Sequence, residues 1–196
     1  MKGAALLAAL VAAPALAHHV ELLPPLQFVP PRPGSYQLHR IMPAPDGRVL
    51  DVDGRAARLS QYLHDRITLL GFIYTTCADP DGCPLAYRVF DALKEAIAAT
   101  PRLQGQVRFV TLSFDPARDT PEAMRRYAGS RVVGFGQDVR VTAAGRELSH
   151  VLKVFLIDRR GDIREIYSSN FLHPQSVLND IETLLLEEGK SRLDRP

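Results

Sequence analysis

Residues 69–84 read LLGFIYTTCADPDGCP, and this stretch decides both the fold and the chemistry of the chain. It begins as an apolar run, breaks into an acidic loop with proline and glycine, and restarts at Cys83-Pro84. Such an apolar run predicts a central strand that is covered on both faces. Because proline suits the first helical position, we expect a helix directly after Cys83. The only two cysteines of the chain, Cys77 and Cys83, therefore lie between a buried strand and a helix N-terminus.

Downstream of this stretch, the apolar pattern alternates between helix and strand. In the helix that follows Cys83, apolar residues recur every four positions and form one face; they are Leu85, Val89, Leu93 and Ile97. Residues 107–114 predict a second buried strand. Thr120-Pro121-Glu122 has the cap, the proline and the acidic first turn of another helix, which we expect to stop at Gly129.

The C-terminal third predicts a strand hairpin and a last helix. Residues 151–157 predict a third strand, which a turn at 158–161 joins to residues 163–167. Pro174 opens the final helix, whose apolar face carries Val177, Ile181 and Leu184. We expect this helix to end before Gly189. Periodicity does not decide between strand and loop for residues 130–149.

The N-terminus has three recognisable parts. Residues 1–17 have the basic start, the short apolar region and the Ala15-Leu16-Ala17 cleavage site of a secretory signal peptide. The proline-rich residues 18–34 predict an extended arm. Residues 36–41 predict a first strand, and the turns at Asp46-Gly47 and Asp53-Gly54 predict an N-terminal hairpin.

This order of elements is typical of a thioredoxin-like α/β fold. Helical crossovers require parallel strands and the hairpin adds an antiparallel edge, so the central sheet is mixed and flanked by helices, with an N-terminal β-hairpin extension. The chain has 196 residues, of which 46% are hydrophobic and 23% charged. We expect one domain over residues 35–189, followed by a polar tail at 190–196.

Charge and targeting signals narrow the location and the partners. The net charge of +2 gives no basic stripe for nucleic acid. No later segment is long and apolar enough to span a membrane. We therefore expect a periplasmic monomer that is exported by a cleavable signal, with an uncleaved membrane anchor as the alternative.

Two thiols at this position suit either a soft metal such as Cu(I) or Zn, or a redox pair. A structural disulfide would close a short loop and stabilise by roughly 2 kcal/mol, which a domain of this size does not need. A metal chelate requires a third ligand. Of the six histidines we favour His150, directly before the third strand, and interpret His173, next to Pro174, as a capping or surface residue.

The chain resembles the Sco/SenC copper chaperones. Residues 71–77 with Cys83-Pro84 look like the strand and the Cys…Cys-Pro motif of that family, and residues 114–121 (FDPARDTP) resemble its DPxRDTP segment. His150, eleven residues before Gly161, has the spacing of the family's ligand histidine. The resemblance covers residues 37–187 and implies that Cys77, Cys83 and His150 bind copper, as Cu(I) or Cu(II), for delivery to the binuclear copper site of cytochrome c oxidase.

The sequence departs from that family in its cysteine spacing and before the histidine. Five residues separate the cysteines where the family has three, and Ser149 stands where the family commonly has aspartate. The alternative, which would make the chain an enzyme, is a thiol–disulfide oxidoreductase that keeps partner cysteines reduced through a Cys77–Cys83 pair. The copper acceptor would be an oxidase subunit or another copper protein. A peroxiredoxin is disfavoured, because Tyr74 stands where those enzymes have Thr or Ser.

Overall fold

The computed structural model describes Leu23 and residues 25–128, 138–143 and 152–193. In this part of the chain, eight strands form one mixed sheet in the order β1-β8-β7-β4-β5-β6-β2-β3. The strands are β1 (Met42–Pro43), β2 (Arg48–Leu50), β3 (Ala56–Arg58), β4 (Ile67–Ile73), β5 (Val107–Ser113), β6 (Asp138–Ala143), β7 (Lys153–Ile157) and β8 (Asp162–Ser168).

The two central strands place the cysteine stretch in the middle of the sheet. β4 pairs in parallel with β5 and antiparallel with β7, and β5 pairs in parallel with β6. Both β4 and β5 are buried along nearly their whole length, as their largely apolar sequences predict. The C-terminal end of β4 therefore leads into the cysteine loop from a rigid position.

Three helices accompany the sheet: α1 (Cys83–Ala98), α2 (Pro121–Ala128) and α3 (Pro174–Leu193). The apolar faces of α1 and α3 belong to the same hydrophobic cluster as the buried side chains of β4, β5 and β7. A second cluster, built on Leu63, Leu70, Val110 and Ile157, belongs to the N-terminal hairpin side. No helix in the described ranges is long and apolar enough to cross a membrane.

The sequence predictions for the central elements are confirmed. The four apolar positions of α1, Leu85, Val89, Leu93 and Ile97, are all buried, as are Val177, Ile181 and Leu184 of α3. The α2 cap is also confirmed, because the Thr120 hydroxyl accepts a hydrogen bond from Ala123 N–H at 3.3 Å. β2 pairs with β3 and β7 with β8, which confirms both predicted hairpins.

The prediction of a first strand over residues 36–41 is wrong. The first strand is Met42–Pro43, which pairs with Ile163 and Asp162 of β8. The backbone groups of Leu38 form hydrogen bonds with side chains instead of with another strand. Its N–H donates to the Glu187 carboxylate, and its carbonyl accepts from the Arg164 guanidinium. The segment is therefore held between α3 and β8 by side chains and does not form a ladder of its own.

The predicted end of the last helix is also wrong, because α3 continues through Gly189 to Leu193. Glutamate and lysine on either side of Gly189 are good helix formers, which offsets the cost of about 1 kcal/mol for one glycine. The last turns are held by ion pairs of Glu187 with Arg164 at 2.7 Å and of Glu188 with Arg159 at 2.9 Å. Lys190, placed in the polar tail by the sequence, is therefore helical.

The described part of the arm has neither helix nor strand and packs on α3. Asn179 donates to the Pro31 carbonyl at 2.8 Å, and the Gly34 N–H donates to the Thr183 hydroxyl at 3.0 Å. The signal segment at residues 1–17 and residues 18–22 lie outside the described residues.

Candidate metal and redox site

The cysteine pair lies between β4, which ends at Ile73, and α1, which begins at Cys83. Nine residues join the end of the strand to the start of the helix. The pair is therefore held between two elements of the core, while the connecting loop is free to bring the sulfurs together.

The five-residue spacer folds back on itself through Asp79. The Asp79 carboxylate accepts a hydrogen bond from Asp81 N–H at 3.1 Å, and its carbonyl accepts one from Gly82 N–H at 3.0 Å. The Arg88 guanidinium of α1 donates to the Pro80 carbonyl at 3.1 Å. An aspartate that bonds the backbone two residues on is a standard way to stabilise a turn. The long spacer thus forms a closed turn that returns the chain to Cys77.

Gly82 allows the closest approach in this loop. A Cβ placed on Gly82 would lie 3.1 Å from the Cys77 Sγ and 3.2 Å from the Asp79 carbonyl oxygen. These distances are shorter than ordinary van der Waals contact, and the carbonyl belongs to the rigid turn. A glycine before the helix is therefore what lets the Cys77 sulfur sit against the start of α1.

The two cysteine side chains lie close together but differ in burial. Cys83 is 1% exposed and packs with Ile73 and Met124, whereas Cys77 is half-buried. Both cysteines are free thiols in this structure. The Cys83 thiol donates a hydrogen bond to the Cys77 sulfur, which also accepts one from the Tyr74 hydroxyl.

These surroundings separate the acidities of the two thiols. Burial raises the pKa of Cys83 to about 12. Partial burial also acts to raise the pKa of Cys77, but donated hydrogen bonds outweigh it, so that the pKa of Cys77 is lowered. The donors are the backbone N–H and the thiol of Cys83, the Tyr74 hydroxyl and the backbone N–H of Asp79.

Because Cys83 directly precedes Pro84, the sequence alone predicts that it gains most from the helix N-terminus, and this prediction is wrong. Cys83 is the first residue of α1, and its side chain turns into the core beside Met124. Its free backbone N–H instead donates to the Cys77 sulfur. The helix N-terminus favours a thiolate at Cys77, in the loop, and not at the cysteine that begins the helix.

Asp119, in the loop between β5 and α2, is hydrogen-bonded to the cysteine loop. Sequence reasoning about cysteines and histidines did not find this residue. Its carboxyl accepts from Thr75 N–H at 3.0 Å, from the Thr75 hydroxyl, and from the Ser113 hydroxyl at 2.5 Å. The side chain is fully buried. The available signal was the FDPARDTP segment itself, where Asp119 directly precedes the helix cap Thr120.

The third proposed ligand, His150, lies outside the described residues. Among the described residues, no group of three or more His, Cys, Asp or Glu side chains is arranged to hold a metal ion. The capping interpretation of His173 is confirmed, because its Nδ1 accepts from Gln175 N–H at 3.1 Å and its carbonyl from Val177 N–H at 3.1 Å. The described structure thus brings together two of the three predicted site residues, Cys77 and Cys83.

A family model described as SCO1/SenC matches residues 48–135 of the chain. This range includes both cysteines. Over these residues the chain is similar to the SCO1/SenC family. No curated protein matches this chain in a sequence search.

Solved structures of Sco proteins share its fold. BsSco, described as a Sco family cytochrome c oxidase assembly protein with a disulfide switch, is 17% identical, with a TM-score of 0.60 over 76% of this chain and 98% of its own. Copper-bound ScoI of Arabidopsis thaliana is 18% identical, with a TM-score of 0.60 over 74% and 98%. Copper-bound yeast Sco1 is 15% identical, with a TM-score of 0.59 over 78% and 96%. At these identities the similarity establishes the fold, which is the thioredoxin-like fold expected from the sequence.

Proposed function

We propose that this protein is a member of the SCO1/SenC family and an exported copper metallochaperone that carries copper on Cys77 and Cys83, with His150 as the nitrogen ligand. The observation that carries the proposal is that the side chains of Cys77 and Cys83 lie together at the start of α1. Copper is the cargo in this function, and its recipient is the binuclear copper site of cytochrome c oxidase.

The donor set fits copper chemistry. Thiolates are soft ligands that select Cu(I), and an imidazole nitrogen is a ligand for either oxidation state. Both cysteines must be deprotonated to bind the metal, so binding displaces the proton that burial retains on Cys83. The sulfur of Cys83 faces Ile73 and Met124, which keep water from one side of the pair.

Support for His150 comes from chain connectivity. β7 begins at Lys153, three residues after His150 in the sequence. Its first residues run beside the end of β4, with Val154 opposite Gly71. A ligand placed just before β7 would therefore approach the pair from the C-terminal end of β4, where the chain continues to Cys77.

Relatives support the metal and the recipient. Copper is bound in the structures of Arabidopsis ScoI and yeast Sco1, and BsSco is described as belonging to a family of oxidase assembly proteins. A copper-accepting oxidase subunit is accordingly the partner that we propose. The protein would act as a periplasmic monomer after cleavage of residues 1–17.

Copper titration of the reduced protein under anaerobic conditions tests this function. We expect one equivalent of tightly bound copper, and a thiolate-to-Cu(II) absorption band in the oxidised metal form. The double variant Cys77→Ser, Cys83→Ser should lose both, and His150→Ala should lower the affinity at least tenfold because one of three ligands is gone.

Two results would contradict the proposal in different ways. If the unaltered protein binds no more copper than the double serine variant, the copper function is wrong. If His150→Ala has the same copper affinity and the same spectrum as the unaltered protein, His150 is not a ligand. This result would favour thiol exchange as the function.

Thiol–disulfide exchange is the second candidate, because the two thiols differ in the way an exchange pair requires. Cys77 is accessible and has a lowered pKa, as suits the attacking thiolate, while Cys83 is buried behind it as the resolving thiol. The reduction potential of the pair discriminates. A value below about −300 mV would mark an inert bridge and exclude this function.

A further inference from the structure

A buried acidic side chain holds the start of the cysteine loop. Asp119 is fully buried, and its two carboxyl oxygens accept three hydrogen bonds. Two of these come from one residue, Thr75, through its backbone N–H and its hydroxyl. The third comes from Ser113, the last residue of β5.

This carboxyl has no counter-cation among the described residues, although it is removed from water. Burying a polar group costs free energy unless its oxygens are hydrogen-bonded, and hydrogen bonds to charged groups are stronger than those between neutral groups. The neighbouring Arg118 reaches a different carboxylate, that of Asp115, at 2.9 Å. The hydrogen bonds that the Asp119 carboxyl accepts therefore come from Ser113 at the end of β5 and from Thr75 at the beginning of the cysteine loop.

The bonds to Thr75 act on the geometry of the first sulfur. Thr75 lies inside the turn in which Cys77 N–H donates to the Tyr74 carbonyl at 3.2 Å. Fixing both the backbone and the side chain of Thr75 fixes the start of this turn. No such clamp from Asp119 reaches Cys83, whose place is set by α1 and by its packing on Met124.

We propose that Asp119 is the positioning residue of the thiol pair, holding Thr75 so that the Cys77 sulfur stays in contact with Cys83. The proposal deepens the function given above, because it assigns the element that preorganises that same site. Asp119 touches neither sulfur. Its effect is to raise the effective concentration of one thiol relative to the other, which favours every product that needs both, whether disulfide or chelate.

The equilibrium of the pair with glutathione measures this effect without copper. The Cys77 thiolate attacks oxidised glutathione, forming a mixed disulfide and releasing one glutathione thiolate. Cys83 then loses its proton and attacks the Cys77 sulfur, releasing the second glutathione and closing the protein disulfide. One glutathione disulfide is reduced to two thiols for each protein disulfide formed, so the equilibrium constant reports the effective concentration of the two cysteines.

We expect Asp119→Asn to lower this equilibrium constant about tenfold, equivalent to about 30 mV for a two-electron couple. An asparagine side chain presents one acceptor oxygen and an amide that cannot accept from Thr75. Thr75→Val removes only the hydroxyl bond and should have a smaller effect in the same direction, whereas Thr75→Ser keeps the hydroxyl and should restore the unaltered value.

Asp115→Asn is the matched control. It makes the same chemical change in the same segment, at a carboxylate that pairs with Arg118 at the surface. It should leave the glutathione equilibrium unchanged. Urea unfolding of each variant separates a loss of global stability from a change at the site. If Asp119→Asn does not fold, the glutathione equilibrium of Thr75→Val tests the proposal instead.

The outcomes separate this inference from the copper function. The inference is overturned if Thr75→Val and any folded Asp119→Asn protein have the glutathione equilibrium of the unaltered protein, even where their unfolding free energy falls. It is equally overturned if Asp115→Asn lowers the equilibrium as much as Asp119→Asn. Failure of the unaltered protein to bind copper would refute the proposed function and leave this measurement intact.

Discussion

Cys77 and Cys83 are chemically identical residues that the fold makes unequal. The buried sulfur of Cys83 packs on Ile73 and Met124 and keeps its proton, while the half-buried sulfur of Cys77 receives hydrogen bonds. In the reduced protein, Cys77 is therefore the reactive member of the pair, and Cys83 follows only after the first bond has formed.

We expect iodoacetamide to modify Cys77 first in the reduced, metal-free protein at pH 7.5. The lowered pKa of Cys77 places more of it in the reactive thiolate form, and the 1% exposure of Cys83 blocks the reagent. Peptide mass spectrometry after limited labelling gives the ratio, which should exceed ten to one. Cys77→Ser should leave the remaining thiol nearly inert, whereas equal labelling of both cysteines would refute the assigned asymmetry.

The sequence located both cysteines but ranked their acidities in the wrong order. Their positions follow from local signals, namely an apolar run before Cys77 and a proline after Cys83. Their acidities depend on which sulfur the core covers and which one meets the backbone N–H of Cys83, and both facts arise from tertiary packing. Asp119 was missed for the same reason, since its contact with Thr75 spans 44 residues.

At the scale of elements, strong periodicity was predictive, whereas one glycine was wrongly interpreted as the end of a helix. α1 follows its four-residue apolar repeat throughout, and β4 and β5 follow their apolar runs. Gly189 was interpreted as a stop, yet α3 passes through it. A glycine ends a helix when its backbone turns to positive φ, and Gly189 does not adopt this conformation.

Gly189→Ala should therefore stabilise the protein by about 0.5–1 kcal/mol. The site has room, because nothing lies within 4 Å of an added Cβ. Gly105→Ala is the matched contrast, with equally open space but a φ of +72°. It should destabilise by about 1 kcal/mol, since alanine disfavours that conformation. Urea unfolding gives both values, and a loss of stability in Gly189→Ala would show that the helix does not continue there.

At the scale of the whole molecule, one buried cluster fastens the N-terminal segment to the C-terminal helix. Tyr36 donates to one carboxyl oxygen of Asp180, and Tyr167 donates to the other at 2.6 Å. The neighbouring arm borders a cleft of about 460 Å³, whose far side includes Asp81 of the cysteine loop. The arm and the cysteine loop therefore line the same cleft.

This cluster predicts a loss of stability in alkali. Burial, together with Asp180, raises the pKa values of Tyr36 and Tyr167 in the folded state. Unfolded tyrosine ionises near pH 10, so the contribution is complete below that pH and is lost progressively above it. Urea unfolding between pH 8 and 11 should show this fall, and Tyr167→Phe should make it shallower by about 1.4 kcal/mol per pH unit.

Tyr87→Phe serves as the control, because its ring contacts Tyr127 and it donates no hydrogen bond to Asp180. It should retain the alkaline slope of the unaltered protein. A slope unaffected by Tyr167→Phe would show that the cluster does not couple folding to pH.

The most direct measurement of the central claim is X-ray absorption spectroscopy of the Cu(I)-loaded protein. The account predicts two sulfur scatterers in the first coordination shell together with one nitrogen, and a shell without sulfur in the Cys77→Ser, Cys83→Ser variant. A first shell of only nitrogen and oxygen in the unaltered protein, or the same spectrum in both proteins, would contradict the assignment of Cys77 and Cys83 as the copper ligands.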